Sequence, residues 1–362
     1  MMMNAAPIQA SPAALSARHP ARLTRGVAPP PRAPRRASRC RASASEAEAP
    51  EGADTKMVVA VTGATGFVGK ALVEKLLADG HEVRVLTRNA ISARLAMPSA
   101  TLAGAKFYAW DTMSGAIEWY DAVKGCTGVV NLAGAPIANP WNESYKKTLV
   151  KSRLQATKRV SDAINALPES ERPSLVSSSA VGFYGISKKR EFTETSGPGR
   201  DFLADLCKRW EAAARETNTA VTTVRTGVVL EKGGGALAKI LPVFQLYGGG
   251  PLGKGDQWVS WIHRDDLVNL IVAALENPEK YRGVVNGTAP TPTTMNGLCA
   301  SVAEATNRPN WLPVPGFALK LLLGEGATVV LDGQRVLPDR ARAAGFEFAY
   351  ETVEEAMADI VA

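Results

Sequence analysis

The stretch VTGATGFVGK, residues 61–70, follows the apolar run MVVA at 57–60. Gly63, Gly66 and Gly69 stand three apart where an apolar strand should give way to a helix. In such a turn the first glycine permits the bend, the second lets backbone approach a pyrophosphate, and the third lets helix pack on strand. The amides of Thr65, Phe67 and Val68, with the glycines, then meet an anionic group at the helix start, where the dipole favours negative charge. A lone glycine pattern is weak. This one follows an expected strand at 57–62, opens an expected helix and begins a βαβ unit, which makes it a dinucleotide grip.

The end of the second strand, EVRVLTR at 82–88, selects the dinucleotide. An NAD site carries an acid about 20 residues on, against the ribose hydroxyls. Here Thr87 and Arg88 hold that place, and a hydroxyl beside a guanidinium suits a 2′-phosphate. The expected cofactor is therefore NADP(H). The plainer reading of Arg88 is a solvated charge at a strand end.

Working outward, apolar strands alternate with helical patterns. The helix after the turn carries Val68, Ala71, Leu72, Leu76 and Leu77 at helical spacing, and Gly80 can end it. Strands are expected at 105–111, 128–134, 174–180 and 220–230, with helices at about 144–166 and 200–216. Near-continuous apolar strands spaced by helices predict a parallel sheet covered on both faces. The fold class is thus α/β, a Rossmann-type doubly wound parallel sheet over 57–231, with 283–289 able to rejoin it. After 231 the glycine- and aromatic-rich run to His263, a helix at 265–276 and a mostly helical 291–362 predict a smaller C-terminal substrate lobe over 232–362. Asp265 and Asp266 read as the cap and the negative charge of their helix start. Trp258, Trp261 and His263 read as core packing before they read as a substrate wall.

With 46% hydrophobic residues the 362-residue chain can bury a sizeable core, and no stretch approaches the 18 or so apolar residues of a membrane helix. Peripheral membrane association stays open. The net charge of +7 is unevenly spread: residues 1–45 hold eight arginines and no acid, and the remainder has 34 basic against 35 acidic residues. The folded part therefore has no overall basic excess, which argues against a nucleic-acid partner. Residues 1–45, rich in Ala, Pro, Ser and Arg without an apolar core, read as a transit peptide, and 46–56 as an acidic linker. Such a leader suits a plastid first and a mitochondrion second; a tail with no address is the plainer alternative. Four scattered cysteines predict reduced, buried thiols, and three scattered histidines predict no metal site.

The segments TGATGFVG, VVNLAGAPI, SSSAVGFYG, RTGVVL, GGGPLGKGDQWVSWIHRDDL and VVNGTAP together resemble the extended type of the short-chain dehydrogenase/reductase superfamily. More narrowly they are similar to its atypical branch of sugar-nucleotide epimerase-like proteins, which has plant plastid members associated with chloroplast division. The match runs from about residue 57 to the C-terminus, with RW-E at 209–211 and GQRVLP at 333–338 typical of the branch. The resemblance implies Asp111 near the adenine and Leu132, Ala133 and Gly134 lining the cofactor. It also implies Arg153 reaching toward the cofactor and main chain at Val229 meeting the nicotinamide carboxamide. It favours the chloroplast, in the stroma or against the inner envelope.

The same resemblance implies a Ser/Tyr/Lys set, in which lysine lowers the tyrosine's pKa and the phenol acts as acid or base. Ser179 and Lys208 match that set, but Ala204 stands where the tyrosine belongs. Tyr184 with Lys188 copies the Y-x-x-x-K spacing in a glycine-containing loop, where spacing alone does not bring side chains together. Tyr184 is accordingly a pocket-wall residue or a substitute acid, and Lys208 a catalytic group or a ligand of the nicotinamide ribose. Two functions stay open: an NADP(H)-dependent oxidoreductase or epimerase of a small polar metabolite, and a non-catalytic NADP(H)-bound scaffold or redox sensor. The sequence fixes neither substrate nor oligomeric state.

Overall fold

The computed structural model describes residues 56–109 and 117–362. Seven strands form one sheet: β1 (Val58–Thr62), β2 (Glu82–Thr87), β3 (Lys106–Ala109), β4 (Gly128–Asn131), β5 (Ser174–Ala180), β6 (Val221–Thr226) and β7 (Gly283–Gly287). Their order is β7-β6-β5-β4-β1-β2-β3, with every neighbouring pair parallel. The chain reverses direction across the sheet between β1 and β4, where Val59 is in register with both Val83 and Gly128. In open α/β sheets the crevice for a ligand lies beyond the strand ends at such a reversal.

Both faces are covered, as the apolar strands require. On one face Leu72, Val73 and Leu76 of the Phe67–Ala78 helix meet Leu267, Leu270 and Ile271 of the Arg264–Glu276 helix across the sheet's Val61, Val85 and Val130. On the other, Val160, Ala163 and Ile164 of the Glu143–Asn165 helix pack with Trp119, Val123 and Leu175. A separate core joins Leu237, Leu241 and Phe244 to Trp261, Leu298, Val302, Val353, Met357 and Ile360. Trp261 and His263 are fully buried, so they pack rather than line an open wall. No described helix is long and apolar enough to cross a membrane.

Two expectations need correction. The stretch 220–230 is not one strand: β6 stops at Thr226, and Val228–Leu230 leaves the sheet to pair in parallel with Trp261–His263. Gly227 makes the break, since a Cβ there would sit 2.3 Å from the Ser260 carbonyl oxygen. The cap of the 264–276 helix is not an aspartate. His263 Nδ1 accepts the Asp265 amide at 3.2 Å, while Asp266 is buried and accepts the amides of Ala349 and Tyr350 at 2.9 and 3.1 Å. The two aspartates do charge the first turn, but Asp266 also ties the C-terminal segment to this helix.

His263 Nε2 is buried without a hydrogen bond, 3.5 Å from an Asp359 carboxylate oxygen, and desolvation holds its pKa below the ordinary 6.5 despite the carboxylates around it. A base with a depressed folded pKa leaves stability whole above its unfolded value and loses it as pH falls through the folded one. The melting temperature should therefore fall between pH 7.5 and 5.5, and His263→Asn, which keeps a capping acceptor, should flatten that fall; equal slopes would show that His263 is not responsible.

Candidate cofactor site and reaction cleft

The glycine turn closes over a narrow gap between strand ends. Gly63 has φ +68°, and a Cβ on it would lie 2.6 Å from the carbonyl of Leu132 just past β4. The Gly66 amide donates to Gly63 O at 2.9 Å, so the bend is self-braced. Gly66 is the extended N-cap of the Phe67–Ala78 helix, with no side chain capping it and no acid in the first turn. The first amides of that helix have no intrahelical partner, and a helix start of this kind favours an anionic group. Gly69 lets helix and turn touch, since a Cβ there would meet Gly63 O at 2.3 Å. Thr65 and Gly66 are exposed, and Phe67 and Val68 half-buried.

Sequence reading missed a second layer. Gly234 and Gly235 lie flat on the Phe67 ring: a Cβ at Gly234 would come within 2.3 Å of it, and one at Gly235 within 2.8 Å of Val229 O. Arg264 pairs with Glu231 at the base of this loop. The EKGGG run at 231–235 was visible but had no partner until the fold set it over the turn. Val229, half-buried on the short strand, is thereby placed beside Phe67.

At the end of β2, Thr87 is half-buried and Arg88 exposed, with no side-chain partner for Arg88 among the described residues. Asn89, next along, caps the following short helix by accepting the Ser92 amide at 2.9 Å. Asp111 lies outside the described residues. Past β4, Leu132 donates its amide to Thr62 O at 3.2 Å, and Leu132 and Ala133 are half-buried beside exposed Gly134. The Arg153 guanidinium lies against Gly134, 3.2 Å from where its Cβ would be, and donates to Ala135 O and Leu149 O. It stacks 5.2 Å from the Trp210 ring, and burial pulls its pKa down. The structure thus brings the glycine turn, the 132–134 segment, Arg153 and Val229 to one end of the sheet.

The hydroxyls of the implied reaction set are spoken for. Ser179 Oγ donates to Glu211 Oε1 at 2.8 Å, and Arg225 grips the same carboxylate through Nε and Nη2 at 2.8 and 2.9 Å. Arg225 Nη1 donates to the Tyr184 hydroxyl at 3.0 Å, which donates in turn to Asn286 Oδ1 at 2.7 Å. Asn286 Nδ2 closes the chain on Leu337 O. Ser179, Tyr184, Glu211, Arg225 and Asn286 are each at most 3% exposed. Burial pushes the Tyr184 phenol above its ordinary 10, with Arg225 pulling the other way. That is the wrong direction for an acid–base group at neutral pH.

The helix Phe202–Arg215 shows why. Ala204, Cys207, Trp210 and Glu211 face inward, while Lys208 is exposed with no partner among the described residues. Cys207 is a buried thiol with its pKa pushed up to about 11 by desolvation. Lys188 pairs with Asp256 at 2.7 Å and does not approach the Tyr184 hydroxyl's partners. The RW-E motif therefore points both ways. Trp210 Nε1 donates to Thr157 Oγ1, which also accepts from the Asn131 amide under the glycine turn, and Glu211 holds Arg225. The GQRVLP motif docks beside it, with Arg335–Val336 pairing in parallel with Glu191–Phe192. No group of three or more potential metal ligands occurs among the described residues.

Residues 59–286 match the NAD dependent epimerase/dehydratase family, and 314–360 match a domain of unknown function, DUF1731. The chain is 50% identical over 311 residues to the Arabidopsis thaliana "Epimerase family protein SDR39U1 homolog, chloroplastic", covering 85% of this chain and 88% of that protein. It is 36% identical to the Mus musculus epimerase family protein SDR39U1, over 84% of this chain and all of that one. The crystal structure of the human epimerase family protein SDR39U1 (isoform2) with NADPH superposes with TM-score 0.75 at 35% identity, covering 84% of this chain and 99% of that one.

Gly66 and Gly69 separate binding from folding. Gly66→Val puts a side chain on an exposed, extended residue where a pyrophosphate would lie, and should abolish NADPH binding while the melting temperature stays within a few degrees. Gly69→Val drives atoms into Gly63 O and should lose fold and binding together. Calorimetric titration alongside thermal melts reads both; NADPH binding by Gly66→Val would refute the placement.

Proposed function

The chain belongs to the NAD-dependent epimerase/dehydratase family, and on that premise we propose that it binds NADP(H) across the crevice beyond β1 and β4. The residues fit the group. The glycine turn offers bare amides and room that a Cβ at Gly66, 3.1 Å from Gly63 O, would take. Thr87 and Arg88, which has no side-chain partner among the described residues, would receive the 2′-phosphate. Leu132, Ala133, Gly134 and Arg153 would flank the nucleotide, and main chain at Val229 the carboxamide. Bound, the cofactor supplies a hydride donor or acceptor. The NADPH of the human relative and the plastid designation of the Arabidopsis relative support NADP(H) and a plastid location for this chain.

The reading the geometry supports best is a protein that holds NADP(H) without the usual tyrosine acid–base, serving a plastid process as a scaffold or redox sensor. One observation carries it: Ser179 and Tyr184 spend their protons on Glu211 and Asn286 inside a buried network, and Ala204 replaces the phenol. Lys208, exposed and without a partner among the described residues, is a candidate donor to the nicotinamide ribose. Family membership favours the second reading, an oxidoreductase or epimerase of a small polar metabolite. That reading requires Ser179 or Tyr184 to turn from the network into the cleft.

Two measurements test this. Arg88→Ala removes a charge-assisted contact worth about 1.5–3 kcal/mol, so NADPH affinity should fall roughly 10- to 100-fold with NADH affinity unchanged. Equal losses for both would place the 2′-phosphate elsewhere. With NADPH saturating, a panel of carbonyl compounds and nucleotide sugars should give no turnover; turnover abolished by Ser179→Ala would install the enzyme reading instead.

A further inference from the structure

Outside the crevice, a cavity of about 360 Å³ opens between the Glu143–Asn165 and Phe202–Arg215 helices. None of its lining residues belongs to the glycine turn, the β2 end or the Ser179 network. Its walls are basic and its floor apolar. Lys147 and Lys151, one turn apart, are exposed and make no side-chain hydrogen bond or ion pair among the described residues, though Lys147 feels the Glu143 carboxylate; Arg209 from the facing helix reaches only Asp205, at 3.7 Å. The third lysine, Lys146, is already neutralised by Glu143 at 2.6 Å and Glu325 at 2.9 Å. The floor is half-buried Val150 and the Phe202 ring, which Trp141 holds edge-on at 5.5 Å.

We propose that this cavity binds a small organic phosphate monoester, its phosphate held by Lys147, Lys151 and Arg209 and its apolar body resting on Val150 and Phe202. Three exposed cations around one cavity, opposed only by Glu143 and by Asp205 at 3.7 Å, hold local positive potential that an anion relieves. Arginine and lysine together suit phosphate, the first as a fork and the second as a point charge. The volume lies at the lower end of small-molecule sites, about 300–1,000 Å³, which fits a monoester better than a dinucleotide. A second copy of the chain docking symmetrically here would set like charges against each other. A nucleic-acid backbone would need a continuous basic track, and Glu143 and Asp205 interrupt it. The RW-E motif thus carries a third role, since Arg209 turns outward to the cavity while Trp210 and Glu211 turn in.

Calorimetric titration of the full chain with phenyl phosphate tests this, because the probe has one phosphate and one ring. Phenyl phosphate should bind with the same affinity with and without saturating NADPH, at least tenfold tighter than inorganic phosphate. Binding should weaken at least tenfold in K147E/K151E and, separately, in R209E. All three residues are exposed, and unchanged melting curves verify that the variants fold. The proposal is overturned by no binding to the wild type, by competition with NADPH, or by equal affinity for inorganic phosphate. Unaltered binding in both variants also overturns it. So does binding of an acidic peptide with none of phenyl phosphate, which would make this face a protein-docking surface.

Discussion

A buried charge must be paired, and in this protein one pair, Arg225 with Glu211, fixes the chemistry available at the end of the sheet. Arg225 comes from β6 and Glu211 from the helix that packs over β5, so their two-pronged contact pins helix to sheet. Removing one member of such a pair leaves the other uncompensated, at a cost of about 3–5 kcal/mol. The same two side chains organise their neighbours. Glu211 accepts the Ser179 proton, Arg225 donates to Tyr184, and the Phe183 ring lies 3.3 Å below the guanidinium. Through Asn286 the network reaches β7 and Leu337, joining the sheet to the C-terminal segment.

This constraint separates holding from reacting. The glycine turn, the 132–134 segment and the loop folded over Phe67 make up the proposed grip of backbone and small residues, and none of its residues belongs to the network. The reacting side of the cleft differs. The serine that the resemblance marks, Ser179, and the substitute-acid candidate Tyr184 are held as links in a chain of hydrogen bonds, and Ala204 leaves no phenol for Lys208 to assist. An intact grip beside a locked proton donor is the physical reason a cofactor-holding role is preferred.

Much of this was legible in the sequence. Strands β1 and β4 are near-continuous apolar runs, so their burial and parallel pairing follow from their residues. The glycine spacing at 63, 66 and 69 announced the turn because each glycine answers a separate steric demand. What was not legible depended on contacts far apart in the chain. Nothing local marks Glu211 as buried, since a glutamate on an amphipathic helix reads as solvated until Arg225 is seen beneath it. The apolar run through 220–230 hid the exit at Gly227, whose reason is the Ser260 carbonyl. His263 was read as packing, yet it also caps a helix, because aspartates downstream offered a more familiar cap. Lys208 sits at the expected spacing, but Cys207, Trp210 and Glu211 take the buried face of the helix and leave Lys208 exposed.

The central claim is that cofactor binding leaves the Ser179–Glu211–Arg225–Tyr184–Asn286 chain closed. A crystal structure of this protein with NADPH measures it directly. The account predicts Ser179 Oγ still within hydrogen-bond distance of Glu211, Tyr184 still on Asn286, and neither hydroxyl touching the nicotinamide. A Ser179 or Tyr184 hydroxyl swung from the network onto the nicotinamide ring or an adjacent ligand would contradict it.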